Sequence, residues 1–271
     1  MIFIVVYRKT TMDKIKIIAI FFYMILSIHA ISQIHTETVE YKDGSATLKG
    51  YIAYDESLKG TRPGILVVHE WWGLNDYAKM RCEMLAKLGY FAFAADIYGD
   101  GFQTTSMEEA GKHAGIYRND RQLMRQRINL ALAELKRQKL VDPDKIAAIG
   151  YCFGGTVSLE LARSGADVKG IVSFHGGLDT PNPADAKNIK AKILVLTGGD
   201  DPNVKDEQVE NFKNEMRDAG VDYEITIYGG AVHAFTNPNA GSDNSKGMAY
   251  NEKADKRSWE AMKSFFNEIF K

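Results

Sequence analysis

Residues 147–155 read Ala-Ala-Ile-Gly-Tyr-Cys-Phe-Gly-Gly, and this stretch decides the fold that we predict. A short apolar run ends at Ile149, Cys152 stands between glycines, and a new apolar period begins at Val157. A strand, a sharp turn and a helix in this order are typical of a nucleophile elbow. In such an elbow, strained backbone presents the nucleophile and glycines let neighbouring chain pass closely. The pattern predicts a nucleophile at Cys152.

A helix that begins behind Cys152 would change the chemistry of the thiol. Its unpaired N–H groups and the positive end of its dipole would lie beside the sulfur and favour the thiolate. The backbone N–H of Phe153 would then face the oxygen of a substrate carbonyl that the sulfur attacks. The alternative is a structural cysteine after a core strand, because free cysteine is among the most buried residue types. The motif is short, so other parts of the chain must decide between the two interpretations.

Further apolar runs predict a mostly parallel central sheet. Strands that are buried on both faces read as continuous apolar runs, and such runs stand at 64–68, 90–95, 169–174 and 191–196. Helical periods separate them, so we expect an α/β fold with helices on both faces of the sheet. Two partly alternating runs at 36–41 and 46–54, joined by an Asp-Gly turn, predict an antiparallel hairpin at the sheet edge.

The candidate catalytic groups follow successive strands in an informative order. Cys152 comes first, Asp201 follows the strand at 191–196, and His233 follows the last strand, which we place at 221–228. Nucleophile, acid and histidine in this order are the arrangement of the α/β-hydrolase fold. A histidine is needed because the thiol must lose its proton to attack, and imidazole titrates nearest neutral pH. The order favours a catalytic Cys152.

Two nearby residues compete with this assignment. Asp200 adjoins Asp201, but the loop pattern Gly-x-x-Asp-x-x-Val from Gly198 to Val204 selects Asp201. Asp200 is then a solvated neighbour or a turn residue. His175 also follows a predicted strand, but it precedes the acid loop and therefore breaks the order of the triad.

Composition excludes several other classes of protein. The 271 residues carry 34 Lys and Arg against 35 Asp and Glu, which gives no electrostatic case for binding nucleic acid or an anionic membrane. The two cysteines, Cys82 in a probable core helix and Cys152, form no zinc motif, so we expect neither a metal nor a cofactor. Arginines at 118, 121, 125 and 127 are interpreted as a solvated helix face. Residues 36–271 are predicted to form one domain.

The N-terminus has the pattern of a secretory signal. Within 1–32, where Met12 is an alternative start, two lysines precede an apolar run at 17–26, and small residues allow cleavage after Ala30 or Ser32. We therefore expect an exported protein, periplasmic or secreted, with no stable membrane partner after signal removal. A retained anchor is the alternative, although the run is shorter than the roughly 20 residues that span a bilayer.

Four segments, taken together, resemble the dienelactone hydrolase family. They are the elbow at 150–155, the acid loop at 198–204, the sequence His-Ala-Phe at 233–235, and residues 69–75 after the first parallel strand. The resemblance covers nearly all of the expected mature chain. It implies the α/β-hydrolase fold and cleavage of an ester, lactone or thioester through a triad of Cys152, His233 and Asp201, with a small-molecule substrate.

The resemblance also implies roles for three further residues. The residue that matches Glu70 contacts the cysteine in the resting state of such enzymes and takes part in its activation. The amide of Trp71 would be a second oxyanion donor beside that of Phe153. An ordinary loop carboxylate is the alternative interpretation of Glu70.

The sequence departs from the family where founding members hold a lactone carboxylate with two arginines. The loop at 96–101 contains no Arg, and Asn237 stands where the second is expected, so no clamp for an anionic lactone is evident. Trp71, Trp72, Tyr98 and Phe153 suggest instead an aromatic pocket, although aromatic residues there could equally be core. The alternatives to an esterase are a peptidase or carbohydrate esterase, a non-catalytic ligand-binding protein, and a redox-sensing thiol on the same fold.

Overall fold

A computed structural model of the protein describes residues 33–271. The predicted signal peptide at 1–32 lies outside the described residues and stays a prediction. The strands are β1 (Ile34–Asp43), β2 (Ala46–Asp55), β3 (Arg62–Val68), β4 (Phe91–Ala95), β5 (Val141–Tyr151), β6 (Gly170–Phe174), β7 (Lys192–Gly198) and β8 (Tyr223–Tyr228). The α-helices are α1 (Asp76–Lys87), α2 (Met107–Asn119), α3 (Arg121–Arg137), α4 (Phe153–Arg163), α5 (Asp206–Ala219) and α6 (Glu252–Ile269). Within residues 33–271, no helix is long and apolar enough to cross a bilayer.

The eight strands form one sheet in the order β1-β2-β4-β3-β5-β6-β7-β8. β1 and β2 make an antiparallel hairpin, and β2 pairs antiparallel with β4. All remaining pairs are parallel. The predicted edge hairpin and the mostly parallel sheet are both confirmed. Because parallel strands share one direction, the loops after β3, β5, β6, β7 and β8 meet at the same edge, where α/β sheets bind ligands.

Helices cover both faces of the sheet because successive strand side chains point to opposite sides. In β3, Ile65 and Val67 join a core with α1 and α6, whereas Leu66 and Val68 join a second core with α2, α3, α4 and α5. All four side chains are fully buried, and each contributes roughly 1.5–3 kcal/mol by leaving water. These two cores confirm the predicted layers and hold the strand ends in fixed positions.

Local sequence signals set the ends of individual elements. The side chain of Asn75 caps α1 by accepting from the N–H of Ala78. β5 begins at Val141, well before the apolar run that ends at Ile149. The reason is that Val141 and Asp142 pair with the start of β3 before the register shifts.

The expectation of a solvated arginine face on α3 is wrong. Arg121 pairs with Asp179, Arg125 with Glu160 and Asp185, and Arg127 with Asp43, at 2.7–3.0 Å. The side chains of these three arginines are only 11–23% exposed. The run therefore ties α3 to neighbouring elements, and only Arg118, on α2, is exposed.

The elbow between β5 and α4 depends on close approach of backbone. Cys152 has φ +54° and ψ −116°, a conformation that residues with a side chain rarely adopt. A Cβ atom on Gly150 would overlap the carbonyl oxygen of Gly154, and one on Gly154 would overlap the carbonyl oxygen of Val68 at the end of β3. Glycine is therefore required at both positions, and the elbow lies directly against the segment that follows β3.

We expect Gly150→Ala to lower the free energy of unfolding by about 3 kcal/mol, because the new methyl group must displace backbone. Gly115→Ala, in α2, is the matched control. A Cβ there meets no atom within 4 Å, and alanine should stabilise the helix by about 1 kcal/mol. Chemical denaturation of both variants measures the difference. Equal free energies of unfolding for Gly150→Ala and Gly115→Ala would contradict the close backbone packing described for the elbow.

Candidate active site

Three loops at the carboxyl edge of the sheet bring Cys152, His233 and Asp201 together. Nε2 of His233 lies 3.0 Å from Sγ of Cys152, and Nδ1 of His233 lies 2.9 Å from Oδ2 of Asp201. Oδ1 of Asp201 accepts from the N–H of Asn203 at 2.8 Å, which fixes the carboxylate that holds the ring. Asp200 is exposed, in agreement with its interpretation as a solvated neighbour. The arrangement allows His233 to take the thiol proton while Asp201 orients the imidazole.

Electrostatics favour a protonated His233. Burial opposes the charge, but the Cys152 thiolate and the hydrogen bond to Asp201 raise the pKa of His233 well above its usual value. Asp201 is buried, so its attraction to the ring is screened little by solvent. The site therefore favours the protonated form of His233.

The two backbone amides that the sequence predicts as oxyanion donors belong to segments that lie against each other. Phe153 is the first residue of α4, so no preceding helical turn supplies a carbonyl for its N–H. The segment that contains Trp71 follows β3, which the elbow contacts through Gly154. Trp71 is held in turn by Tyr98, whose hydroxyl donates to the Trp71 carbonyl at 3.1 Å. Both predicted donors thus lie in segments that meet at the elbow.

Glu70 is a buried carboxyl group beside the triad. Oε2 accepts from the side-chain amide of Asn237 at 2.6 Å. Burial raises the pKa of Glu70 to about 7, against the opposing effects of Asn237, His233 and Arg81. The sulfur of Cys152 is hydrogen-bonded to His233, whereas the carboxyl group of Glu70 is hydrogen-bonded to Asn237. Glu70 can therefore exchange a proton near neutral pH next to the reacting groups.

A cavity of about 600 Å³ opens over the nucleophile. Cys152, His233 and Trp71 form its floor and one wall, and Arg118 and Lys246 are among its other lining residues. From the sequence, no cation is expected in this pocket, and that expectation is wrong. Arg118 reaches the cavity from α2, with its guanidinium carbon 6.0 Å from the centre of the Phe153 ring.

The other aromatic residues expected in the pocket have different positions. Trp72 lines a separate cavity of about 290 Å³ together with Glu70 and Asn237. Tyr98 is buried and packs against the rings of Phe153 and other aromatic residues, so it supports Trp71 from below instead of lining the main cavity. Aromatic character alone could not separate a pocket wall from the core beneath it.

Sequence reasoning missed two residues near the nucleophile. In the sequence, Arg118 stands close to the arginines of α3 and is interpreted together with them. Asp120 ends α2 and begins α3, so Arg118 lies on a different helix from the other three arginines. His175 was set aside as a base because of its place in the chain order, yet its ring lies 5.3 Å from that of His233. Among the described residues, no cluster of three or more His, Cys, Asp or Glu side chains is placed to hold a metal ion.

The parallel sheet, the elbow and the contacts of Cys152, His233 and Asp201 define an α/β hydrolase with a thiol nucleophile. Comparison with known sequences narrows the class further. The model of the dienelactone hydrolase family matches residues 48–270, so the chain belongs to that family and is a hydrolase of the dienelactone hydrolase type.

Individual relatives agree with this assignment. The chain is 30% identical over 240 residues to a protein of Aquifex aeolicus named "Putative carboxymethylenebutenolidase", covering 87% of this chain and 99% of that one. It is 30% identical over 187 residues to a Bradyrhizobium protein named "Probable 2-oxo-3-(5-oxofuran-2-ylidene)propanoate lactonase". This match covers 65% of this chain and 74% of that one. A solved dienelactone hydrolase-like promiscuous phosphotriesterase from metagenomic libraries superimposes with a TM-score of 0.84 at 43% identity, covering 87% and 98%.

We expect Glu70 to make the folded protein less stable as pH rises. The folded state holds the Glu70 proton up to a pKa of about 7, whereas the ordinary value is 4.5. The stabilisation is therefore complete below about pH 4.5 and is lost as pH rises through 7. Relative to Glu70→Gln, the wild type should lose about 3 kcal/mol of unfolding free energy between pH 4.5 and 8. Denaturation curves of both proteins across this range measure the difference, and parallel curves would contradict the shift.

Proposed function

We propose that the protein hydrolyses a carboxylic ester, lactone or thioester through an acyl-enzyme on Cys152. The observation that carries the proposal is the pair of contacts at His233, 3.0 Å from the sulfur and 2.9 Å from Asp201. The Cys152 sulfur attacks the substrate carbonyl, and the resulting oxyanion is bound by the amides of Phe153 and Trp71. As the C–O or C–S bond breaks, His233 gives its proton to the leaving group.

The second half of the reaction uses the same groups in reverse. His233 takes a proton from a water molecule, which attacks the thioester carbonyl of the acyl-enzyme. Collapse of the tetrahedral intermediate releases the carboxylic acid and returns the thiolate–imidazolium pair. Asp201 orients the ring in both halves. Glu70, buried nearby with a pKa of about 7, tunes the state of the thiol.

The acyl-enzyme should be visible by mass. Brief exposure of the wild type to p-nitrophenyl acetate is expected to add one acetyl group at Cys152, followed by its loss. Cys152→Ala should form no adduct and lose turnover. Cys82→Ala is the control, because Cys82 is fully buried in α1 and belongs to the core on the other face of the sheet from Cys152. Intact-mass spectrometry and peptide mapping distinguish the outcomes.

The same experiment tests the rival functions. Absence of both adduct and hydrolysis would leave a ligand-binding protein on this fold. Faster modification of Cys152 by peroxide than by ester would favour a redox-sensing thiol. Turnover that survives in Cys152→Ala would exclude the thiol mechanism altogether.

We propose further that the substrate carries an anionic group that Arg118 binds. The other arginine of the cavity, Arg121, is neutralised by Asp179 at 3.0 Å, and Lys246 lies 4.0 Å from Asp243. Arg118 makes no ion pair with any residue in 33–271 and lines the cavity that contains Cys152. A guanidinium without a protein partner is suited to a carboxylate, which it can bind through two parallel hydrogen bonds.

The names of relatives support an anionic substrate. The Bradyrhizobium relative is named for a lactone that bears a propanoate group, and a carboxylate of that kind is the group that Arg118 could hold. The cavity over Cys152 also accommodates substrates larger than an acetyl ester, since its volume is about 600 Å³.

Arg118→Gln should lower kcat/KM about tenfold for p-nitrophenyl succinate, which is anionic, and leave that for the neutral p-nitrophenyl valerate nearly unchanged. Arg137→Gln is the matched control because its side chain is 76% exposed at the far end of α3. The readout is the ratio of the two kcat/KM values. An unchanged ratio in Arg118→Gln would remove the anion site from the proposal.

We also propose that the protein acts after export. The support is the sequence pattern within 1–32, in which two lysines, an apolar run and small residues succeed one another. A thiol nucleophile in such a compartment must stay reduced, and the burial of both Cys82 and Cys152 limits their access to other thiols.

A further inference from the structure

His175 lies directly beneath the nucleophile and takes no part in the mechanism above. It follows β6, is fully buried and has φ +40°. In the described part of the chain, four non-glycine residues have positive φ, and three of them are His175, Cys152 and Ala234, next to His233. Each such residue costs about 1–3 kcal/mol and persists only where surrounding structure holds it. The strain is therefore concentrated around the active site.

The ring of His175 contacts the backbone of the nucleophile. Nδ1 accepts from the N–H of Cys152 at 3.1 Å, and the same N–H also approaches the carbonyl oxygen of Phe174 at 3.0 Å. Because Nδ1 is an acceptor, the ring proton of the neutral imidazole lies on Nε2. Nε2 then donates to Oγ1 of Thr236 at 2.7 Å. One ring thus connects the elbow to the loop that carries His233.

A buried polar chain anchors the far side of this ring. Oγ1 of Thr236 lies 2.6 Å from the hydroxyl of Tyr77, which accepts from Nε of Arg81 at 3.3 Å. Arg81 also donates to the carbonyl of Thr236 and forms an ion pair with Asp255, both at 2.6 Å. Residues from α1, α6 and the loop after β8 therefore fix the position of His175.

His175 is held in its neutral form. Burial lowers the pKa of His175 well below its usual value, and the charges of His233 and Arg81 lower it further. Tyr151, whose ring lies 6.1 Å away, is also neutral, because burial raises its pKa. A neutral ring keeps its acceptor at Nδ1 across the working pH range and adds no positive charge to oppose the imidazolium of His233.

We propose that His175 is a positioning residue, which holds the Cys152 backbone at φ +54° so that the sulfur and the Phe153 amide face the same carbonyl. The proposal rests on the acyl-enzyme mechanism proposed above. Without the acceptor at Nδ1, the N–H of Cys152 keeps only the Phe174 carbonyl, and the elbow can relax toward negative φ. A displacement of about 1 Å at a nucleophile can cost up to 100-fold in rate.

Two substitutions at 175 separate positioning from simple packing. His175→Asn places Oδ1 near the position of Nδ1, and asparagine tolerates positive φ. His175→Gly also tolerates positive φ but supplies no acceptor. We expect His175→Gly to lower kcat about 10- to 100-fold with KM changed less than about twofold, and His175→Asn to restore kcat to within about threefold of the wild type.

Thr236→Val tests the same chain without altering the ring of His175. It removes the partner of Nε2 while keeping the shape of the side chain, and we expect a loss of kcat that is smaller than that of His175→Gly. The readouts for all variants are the steady-state kcat and KM and the single-turnover rate of Cys152 acylation, all with p-nitrophenyl acetate and corrected for folded fraction by circular dichroism.

The outcomes distinguish this inference from the proposed function. If the wild type forms no acyl adduct, the mechanism itself fails. If the wild type acylates normally and folded His175→Gly acylates at the same rate, only the positioning role fails. Equal losses in His175→Asn and His175→Gly would show that ring volume matters and the Nδ1 acceptor does not.

Discussion

The contact between the elbow and the end of β3 is the constraint on which the active site depends. The backbone at Gly154 passes so close to the Val68 carbonyl that no side chain fits between them. This approach fixes α4 against the sheet and brings the segment of Glu70 and Trp71 beside Cys152. The positions of the proposed oxyanion donors and of the buried carboxyl are therefore set by main-chain packing between two parallel strands.

Burial disfavours the charged form of every titratable group in the site, and the hydrogen-bond and charged partners of each group decide whether that effect prevails. His233 is buried beside the thiolate and Asp201, and its pKa is raised. His175 is fully buried, so burial lowers its pKa, and the positive charges of His233 and Arg81 lower it further. Glu70 has an amide as its hydrogen-bond partner, so burial raises its pKa to about 7. Two histidines whose rings lie 5.3 Å apart thereby hold different charges.

The triad could be predicted from the sequence because each member follows a strand in a recognisable order, and strand ends of a parallel sheet converge. Tyr98 could not be placed in the same way, since the packing of the loop after β4 decides whether an aromatic ring lines a cavity or lies beneath it. Arg118 and His175 depend on contacts between elements that are distant in the chain. Their roles follow from which neighbours are charged, and local periodicity carries no such information.

The elbow also bears on how such an enzyme can diversify. Its geometry resides in the glycines at 150 and 154 and in backbone hydrogen bonds to Cys152, none of which involves the sulfur. The backbone geometry of the elbow therefore does not depend on which atom makes the attack. Replacing the sulfur by oxygen at this position would change the reactivity of the nucleophile and would not require the rest of the chain to change its fold. Within this architecture the glycines at 150 and 154 set the backbone of the elbow, and the side chain at 152 sets only its reactivity.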